Sequence, residues 1–234
     1  MLSSNLLKKN APGEDKSGDS LLNLTVYLRA NSSVINDIVQ HIRLQLQATT
    51  LVEWFAFFFG VAQVVLALKN KTLNFYAGII SVCLYIYVFY SFGLYAESLL
   101  NIYYLIVSIA GIFLWQQKNL QSITFTRSGE WMIAAAIALV SWGLLFFILK
   151  QFTPSTVPFL DAIVTATAWA GTWLLIKRKV ENWTVLNISN LVAIPLQFYK
   201  GLELTSLLTC IYVVIAILGY FQWKRSALEK ELAE

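Results

Sequence analysis

Seven times between residue 51 and residue 223 the chain runs for about 20 residues with almost no charge. A bilayer's hydrocarbon core, about 30 Å thick, needs roughly that many apolar residues per helical crossing. The runs fall at residues 51–68, 74–92, 96–116, 131–149, 157–176, 182–199 and 203–223. Lipid offers no hydrogen bonds, so a spanning segment must satisfy its own backbone as a helix or as part of a closed barrel. These runs are long and continuous, unlike the roughly ten-residue alternating segments of barrel strands. The expected fold is therefore an all-α membrane protein with seven transmembrane helices. A composition of 58% hydrophobic and only 13% charged residues places the chain in the same class.

The first fifty residues have a different character. Residues 1–20 are polar and rich in Gly, Ser and Lys, lack the apolar stretch of a signal peptide, and read as a disordered tail. Over residues 21–50, Ile35, Ile38, Val39, Ile42 and Leu46 recur at helical spacing opposite Asp37, Gln40, Arg43 and Gln47, which predicts an amphipathic helix lying in the membrane interface. Lys69, Lys71, Lys118, Arg127, Lys177, Arg178, Lys179, Lys224 and Arg225 all fall on one side of seven crossings. Cytoplasmic loops are enriched in such residues. The C-terminal tail, residues 226–234, is thus expected in the cytoplasm and the N-terminus outside. That orientation puts Glu53, Glu97, Asp161 and Glu203 at the outer mouth, either as ordinary helix-start carboxylates favoured by the helix dipole or as a weak attraction for cations.

Sliding the chain against itself by 108 residues uncovers an internal repeat without a gap. Lys69 and Lys71 meet Lys177 and Lys179, Asn74 meets Asn182, and Phe75 meets Trp183. Gly93 and Leu94 meet Gly201 and Leu202, and Ser98 to Leu100 meet Ser206 to Leu208. Tyr104, Gly111 and Trp115 meet Tyr212, Gly219 and Trp223, and roughly a quarter of all aligned positions are identical. The chain thus reads as a duplicated three-helix unit, residues 51–116 and 157–225, joined by an unpaired linker helix at 131–149. Three spans plus one is an even number, so both copies enter the membrane in the same direction. Parallel repeats of this 3+1+3 kind are a transporter architecture, with the substrate held near the midplane at the repeat interface.

Polar groups at membrane depth are the candidates for that site. In the sixth span Trp183, Asn187 and Asn190 share a helical face, with Ser189 and Gln197 nearby, whereas the second span has Phe75, Ile79 and Val82 in the matching places. Amides can simply knit helices together. One specialised copy, however, points to an asymmetric ligand face. The fifth span has the same bias: Trp169 and Trp173 stand where the first has Val61 and Val65. Gln63, Asn101 and Tyr104 complete the candidate set from the first copy. Amides match carboxamides and hydroxyls, and indole faces attract flat rings and cations. The indicated ligand is an aromatic, polyhydroxylated or cationic metabolite. Pro195, which removes a backbone bond to Leu191, is the candidate gating kink.

The run NFYAGIISVCLYIYVFYSFGLYAESLLNIYYLIVSIAGIFLWQ resembles the first half of the PnuC family of bacterial nicotinamide riboside transporters, and ENWTVLNISNLVAIPLQFYKGLELTSLLTCIYVVIAILGYFQW resembles the second. The most specific pieces are Asn182-Trp183 followed by Asn190, the stretch Ile194 to Leu202, and the Gly111–Trp115 and Gly219–Trp223 spacings. The resemblance implies a fold similar to the sugar-transporting SWEET proteins and facilitated diffusion of nicotinamide riboside across the inner membrane. A separate cytosolic kinase would then trap the substrate. Related branches move thiamine or riboflavin. Family members often carry a second tryptophan three residues after the first, where this chain has Leu186.

Enzymatic chemistry finds no support in the sequence. His41 is the single histidine, Cys83 and Cys210 lie in different spans, and no catalytic or metal-binding motif is present. No cofactor, metal or catalytic residue is expected. No paired carboxylates stand in mid-membrane to carry a coupling ion, which suits a uniporter. The net charge of +4 follows the positive-inside distribution and calls for no nucleic acid. The expected partners are the vitamin, the bilayer and the kinase, and a homo-oligomer is compatible with the sequence. A non-transporting membrane receptor or scaffold is the alternative class.

Overall fold

The computed structural model describes Gln40 and residues 49–91, 95–117, 122–153 and 155–232. The expected N-terminal tail, His41 and nearly all of the amphipathic helix lie outside these residues. Seven helices follow in order: α1 Leu51–Leu68, α2 Leu73–Ser91, α3 Tyr95–Gln116, α4 Ser128–Phe152, α5 Pro158–Ile176, α6 Asn182–Tyr199 and α7 Glu203–Glu231. Among the described residues there is no strand, only an isolated parallel bridge between Thr124 and Lys179. Two boundaries differ from expectation. Helix α4 begins at Ser128, where the backbone N–H of Arg127 donates to the Glu130 carboxylate at 2.9 Å. Helix α7 continues through the expected tail to Glu231, helped by an Arg225–Glu229 pair one turn apart.

Five helices, α1, α2, α4, α5 and α7, are long and apolar enough to cross a membrane. Helix α3 carries a shorter apolar stretch, Leu100–Gln116. Helix α6 is diluted by its own amides. Large apolar side chains cover the outside, with Phe58, Tyr87, Phe113, Leu139, Phe147 and Phe221 all exposed. Water does not tolerate a surface of that kind, and lipid does. The chain is a multi-pass membrane protein.

The packing repeats at the 108-residue spacing. Helix α1 packs on α2 and α2 on α3; α5 packs on α6 and α6 on α7; α1 also meets α7, and α3 meets α5. Ser81 Oγ donates to the Ala56 carbonyl and Ser189 Oγ to that of Val164, both at 2.7 Å. The Asn74 amide reaches back to the Lys71 carbonyl as Asn182 does to Lys179. Asn70 and Arg178 end α1 and α5 in the left-handed region, both at φ 52°. The following N–H groups of Lys71 and Lys179 close a Schellman-type turn onto Leu66 and Leu174. Across the two triplets, Trp115 Nε1 donates to the Ile176 carbonyl and Trp223 Nε1 to that of Leu68, each at 3.0 Å. Helix α4 packs chiefly on α5, through Ala134, Ala170 and Leu174.

Candidate substrate cavity

All seven helices contribute to the wall of a cavity of about 600 Å³. The lining surface is largely apolar, with polar side chains spread along it. Helix α6 turns Trp183, Leu186, Ser189, Asn190, Ala193, Leu196 and Gln197 inward. At about 100° per residue these positions form one stripe centred on Leu186. Asn187 lies about 100° round from that centre, half-buried, with its Oδ1 buried and unpartnered but outside the cavity wall. Pro195 is about 180° away on the exposed face. Thus the face drawn through Trp183, Asn187 and Asn190 is rotated from the cavity-lining stripe, whose middle Leu186 occupies.

Trp183 shows what separates the two copies. Its ring lies against Gly219, where an added Cβ would come within 2.6 Å, and meets Trp223 edge-on at 5.4 Å. Phe75 does the same to Gly111 and Trp115, the latter at 4.9 Å. The aromatic body is therefore a packing element common to both copies. What Trp183 adds is an indole N–H, buried and without an acceptor among the described residues, on a side chain that lines the cavity. Trp169 presents a second such N–H, and its ring stacks on Tyr103 with centroids 4.1 Å apart. Buried donors of this kind are costly unless a solute or water satisfies them. Trp173, one residue-turn later, has advanced about 40° and packs with Leu174 and Ala134 on the α4 side.

The remaining candidates Gln63, Asn101, Tyr104, Asn190 and Gln197 all line the cavity. Gln63 lies across Gly78, Asn101 donates to the Glu97 carbonyl at 2.8 Å, and Gln197 accepts from Thr209 at 2.9 Å. Asn190 makes no hydrogen bond among the described residues and so keeps its full donor and acceptor set. Ser189, by contrast, spends its hydroxyl on the Val164 carbonyl, the same helix tie that Ser81 makes.

Charge enters the cavity at one end only. Lys200, which caps α6, places Nζ 2.9 Å from Glu97 Oε1 and 2.8 Å from Asp161 Oδ1. Ser155 adds a 2.7 Å hydrogen bond to Asp161. Burial works against the ammonium, but the two carboxylates outweigh it and hold Lys200 above its ordinary pKa. Sequence reasoning grouped Glu97 and Asp161 by location with Glu53 and missed Lys200, because a non-local ion pair leaves no periodic signal. Glu53 instead closes a capping box with Thr50 at the start of α1. At the opposite end Arg178 lies 4.3 Å over the Trp115 ring, its guanidinium pKa lowered by burial. Among the described residues no group of His, Cys, Asp and Glu could hold a metal ion.

Comparison with known proteins places these observations. Residues 50–225 match the family model described as nicotinamide mononucleotide transporter. The chain is 28% identical to the nicotinamide riboside transporter PnuC of Neisseria mucosa, covering 71% of this chain and 69% of that protein. It is 24% identical to the protein of that name from Escherichia coli, over 73% and 84%. A crystal structure of the vitamin B3 transporter PnuC superposes with a TM-score of 0.65 at 24% identity, covering 82% of this chain and 88% of that one.

Proposed function

The chain belongs to the nicotinamide mononucleotide transporter family, and from that premise we propose that it carries nicotinamide riboside across the membrane by facilitated diffusion. The observation that carries this choice of substrate is the pairing of free indole N–H groups at Trp169 and Trp183 with the absence of a free cation in the wall. Lys200 is the only basic residue lining the cavity among the described residues, and two carboxylates already engage it. A phosphate dianion calls for an Arg or Lys clamp or a helix N-terminus. The riboside lacks the phosphate and brings a flat cationic ring, a carboxamide and a ribose. These suit aromatic walls and the amides of Asn190, Gln63 and Gln197. A volume of about 600 Å³ lies within the range of small-molecule pockets.

The chain is a transporter and not an enzyme. Its plan, in this reading, is two parallel three-helix units with α4 between them, supported by the hydrogen bonds that recur at the repeat spacing. All seven helices cross the bilayer of the bacterial inner membrane, the N-terminus outside and the basic loops in the cytoplasm. The binding residues are Trp169, Trp183, Asn190, Gln63, Asn101, Tyr104 and Gln197, with Leu186 filling the centre of the α6 stripe. Asn187, Trp173 and Pro195 act from outside the wall, Pro195 by bending α6. A cytosolic kinase removes the arriving riboside. Both cavity carboxylates are paired with Lys200, which leaves no obvious carrier for a coupling ion.

Purified protein in liposomes should accumulate labelled nicotinamide riboside with saturable, ion-independent kinetics, and excess nicotinamide mononucleotide should compete poorly. Absence of saturable uptake, or equal competition by the phosphorylated compound, overturns the proposal. Leu186 supports a second reading, thiamine, because a leucine leaves space where many family members place tryptophan; stronger competition by thiamine than by unlabelled riboside would favour it.

A further inference from the structure

The two ends of the cavity are held together by different chemistry. Near the basic loops, each three-helix unit is tied to the other by an indole N–H on a helix-end carbonyl, Trp115 to Ile176 and Trp223 to Leu68. Both rings are at most 2% exposed. These ties are neutral, buried and doubled by the repeat. At the far end the units meet through an apolar cluster of Phe57, Tyr85 and Phe89 with Leu202 and Leu208, and beside it stands an ionic link: Lys200 reaches from the end of α6 to Glu97 at the start of α3 and Asp161 at the start of α5. The repeat counterparts of Glu97 and Lys200 are Thr205 and Phe92, which cannot form an ion pair. The three charged side chains line the cavity and stay 12–20% exposed.

A cluster with two carboxylates and one ammonium is chemically suited to exchange. Removing Lys200 alone strands two partly buried carboxylates, which is strongly unfavourable. If another cation takes its place at Glu97, the link between the units opens without leaving that carboxylate unpaired. Glu97 is the carboxylate that matters, because it stands on the first unit while Asp161 and Lys200 both belong to the second. Each partner also sits where a helix dipole favours it, carboxylates in first turns and the ammonium at a C-terminus.

Building on the transporter reading, we propose that Lys200 and Glu97, steadied by Asp161, form an ionic latch that closes this end of the cavity. A cationic solute opens it by replacing Lys200 at Glu97. The latch couples arrival of positive charge to separation of α3 from the end of α6, and the two tryptophan ties hold the opposite end meanwhile.

The test uses the full chain with Cys83 and Cys210 replaced by serine, first shown to take up labelled nicotinamide riboside. In one arm, Glu97→Cys and Lys200→Cys are bridged by a short reducible bis-methanethiosulfonate. Uptake should fall at least tenfold and return on reduction; bridged protein that transports at the reduced rate overturns the latch. In the second arm a reporter, Thr165→Cys, lines the cavity wall, and its labelling by a charged thiol reagent is timed. Lys200→Met should speed labelling at least fivefold, and the exchanged pair Glu97→Lys with Lys200→Glu should restore slow labelling. Unchanged labelling in Lys200→Met, or no restoration by the exchange, also overturns the latch. Lack of uptake by the serine background, where the native chain is also inactive, counts against the transporter reading and not against the latch.

Discussion

At the scale of single residues, Phe75 and Trp183 form a natural experiment within one chain. Both rings press on a glycine and meet a tryptophan edge-on, so the difference between them is the indole's second ring and its buried N–H. Trp183→Phe should therefore lower the melting temperature less than full truncation does while weakening substrate binding about tenfold, the effect of one lost hydrogen bond of roughly 1.4 kcal/mol. Trp183→Ala empties the space and should destabilise by about 3–5 kcal/mol. Titration calorimetry with paired thermal unfolding separates the two effects. If the phenylalanine variant binds as tightly as the native protein, the N–H has no ligand role. The sequence pointed to position 183, but it could not say which part of the side chain faces what, since packing and polarity share the same letter.

At the scale of elements, α6 shows how far periodicity carries. Its unusual amides were legible as a departure from hydropathy, and so was the contrast with α2. The direction of its cavity face was not. Three polar residues can be joined by several helical stripes, and only the contacts of α5 and α7 select the one centred on Leu186. Leu186 also packs on Gly171, where an added Cβ would meet its side chain at 2.8 Å. Leu186→Trp should shrink the cavity and weaken thiamine competition more than riboside competition, read by competition binding. Pro195 lies on the opposite, exposed side of the helix. Its influence must pass through the helix whose backbone bonding it interrupts, so Pro195→Ala should reduce maximal uptake several-fold and leave KM near the native value. A change confined to KM would place its effect at the wall instead.

At the scale of the whole molecule, several residues that repeat in sequence at the 108-residue spacing also form recurring bonds. Ser81 and Ser189, Asn74 and Asn182, and Trp115 and Trp223 each make the same bond in both copies. The pairing of the α5–α6 turn with the α3–α4 connection through Thr124 and Arg178, and with the first turn of α4 through Lys179 and Glu130, had no period to announce it. Since the tryptophan ties are reciprocal, Trp115→Phe and Trp223→Phe should cost similar stability, roughly 1–3 kcal/mol each for a buried carbonyl left unsatisfied. Thermal unfolding in detergent checks this; a large cost on one side alone would mean that one tie carries the assembly.

Tyr103 and Trp169 belong to different three-helix units, yet their rings lie face to face at the cavity wall. Together with Trp183, this puts two of the chain's eight tryptophans against the space a solute would enter. Indole emission depends on what surrounds the ring and on what its N–H bonds to. The protein therefore has a built-in optical sensor: filling the cavity, or parting α3 from α5, should change its ultraviolet fluorescence without any added dye.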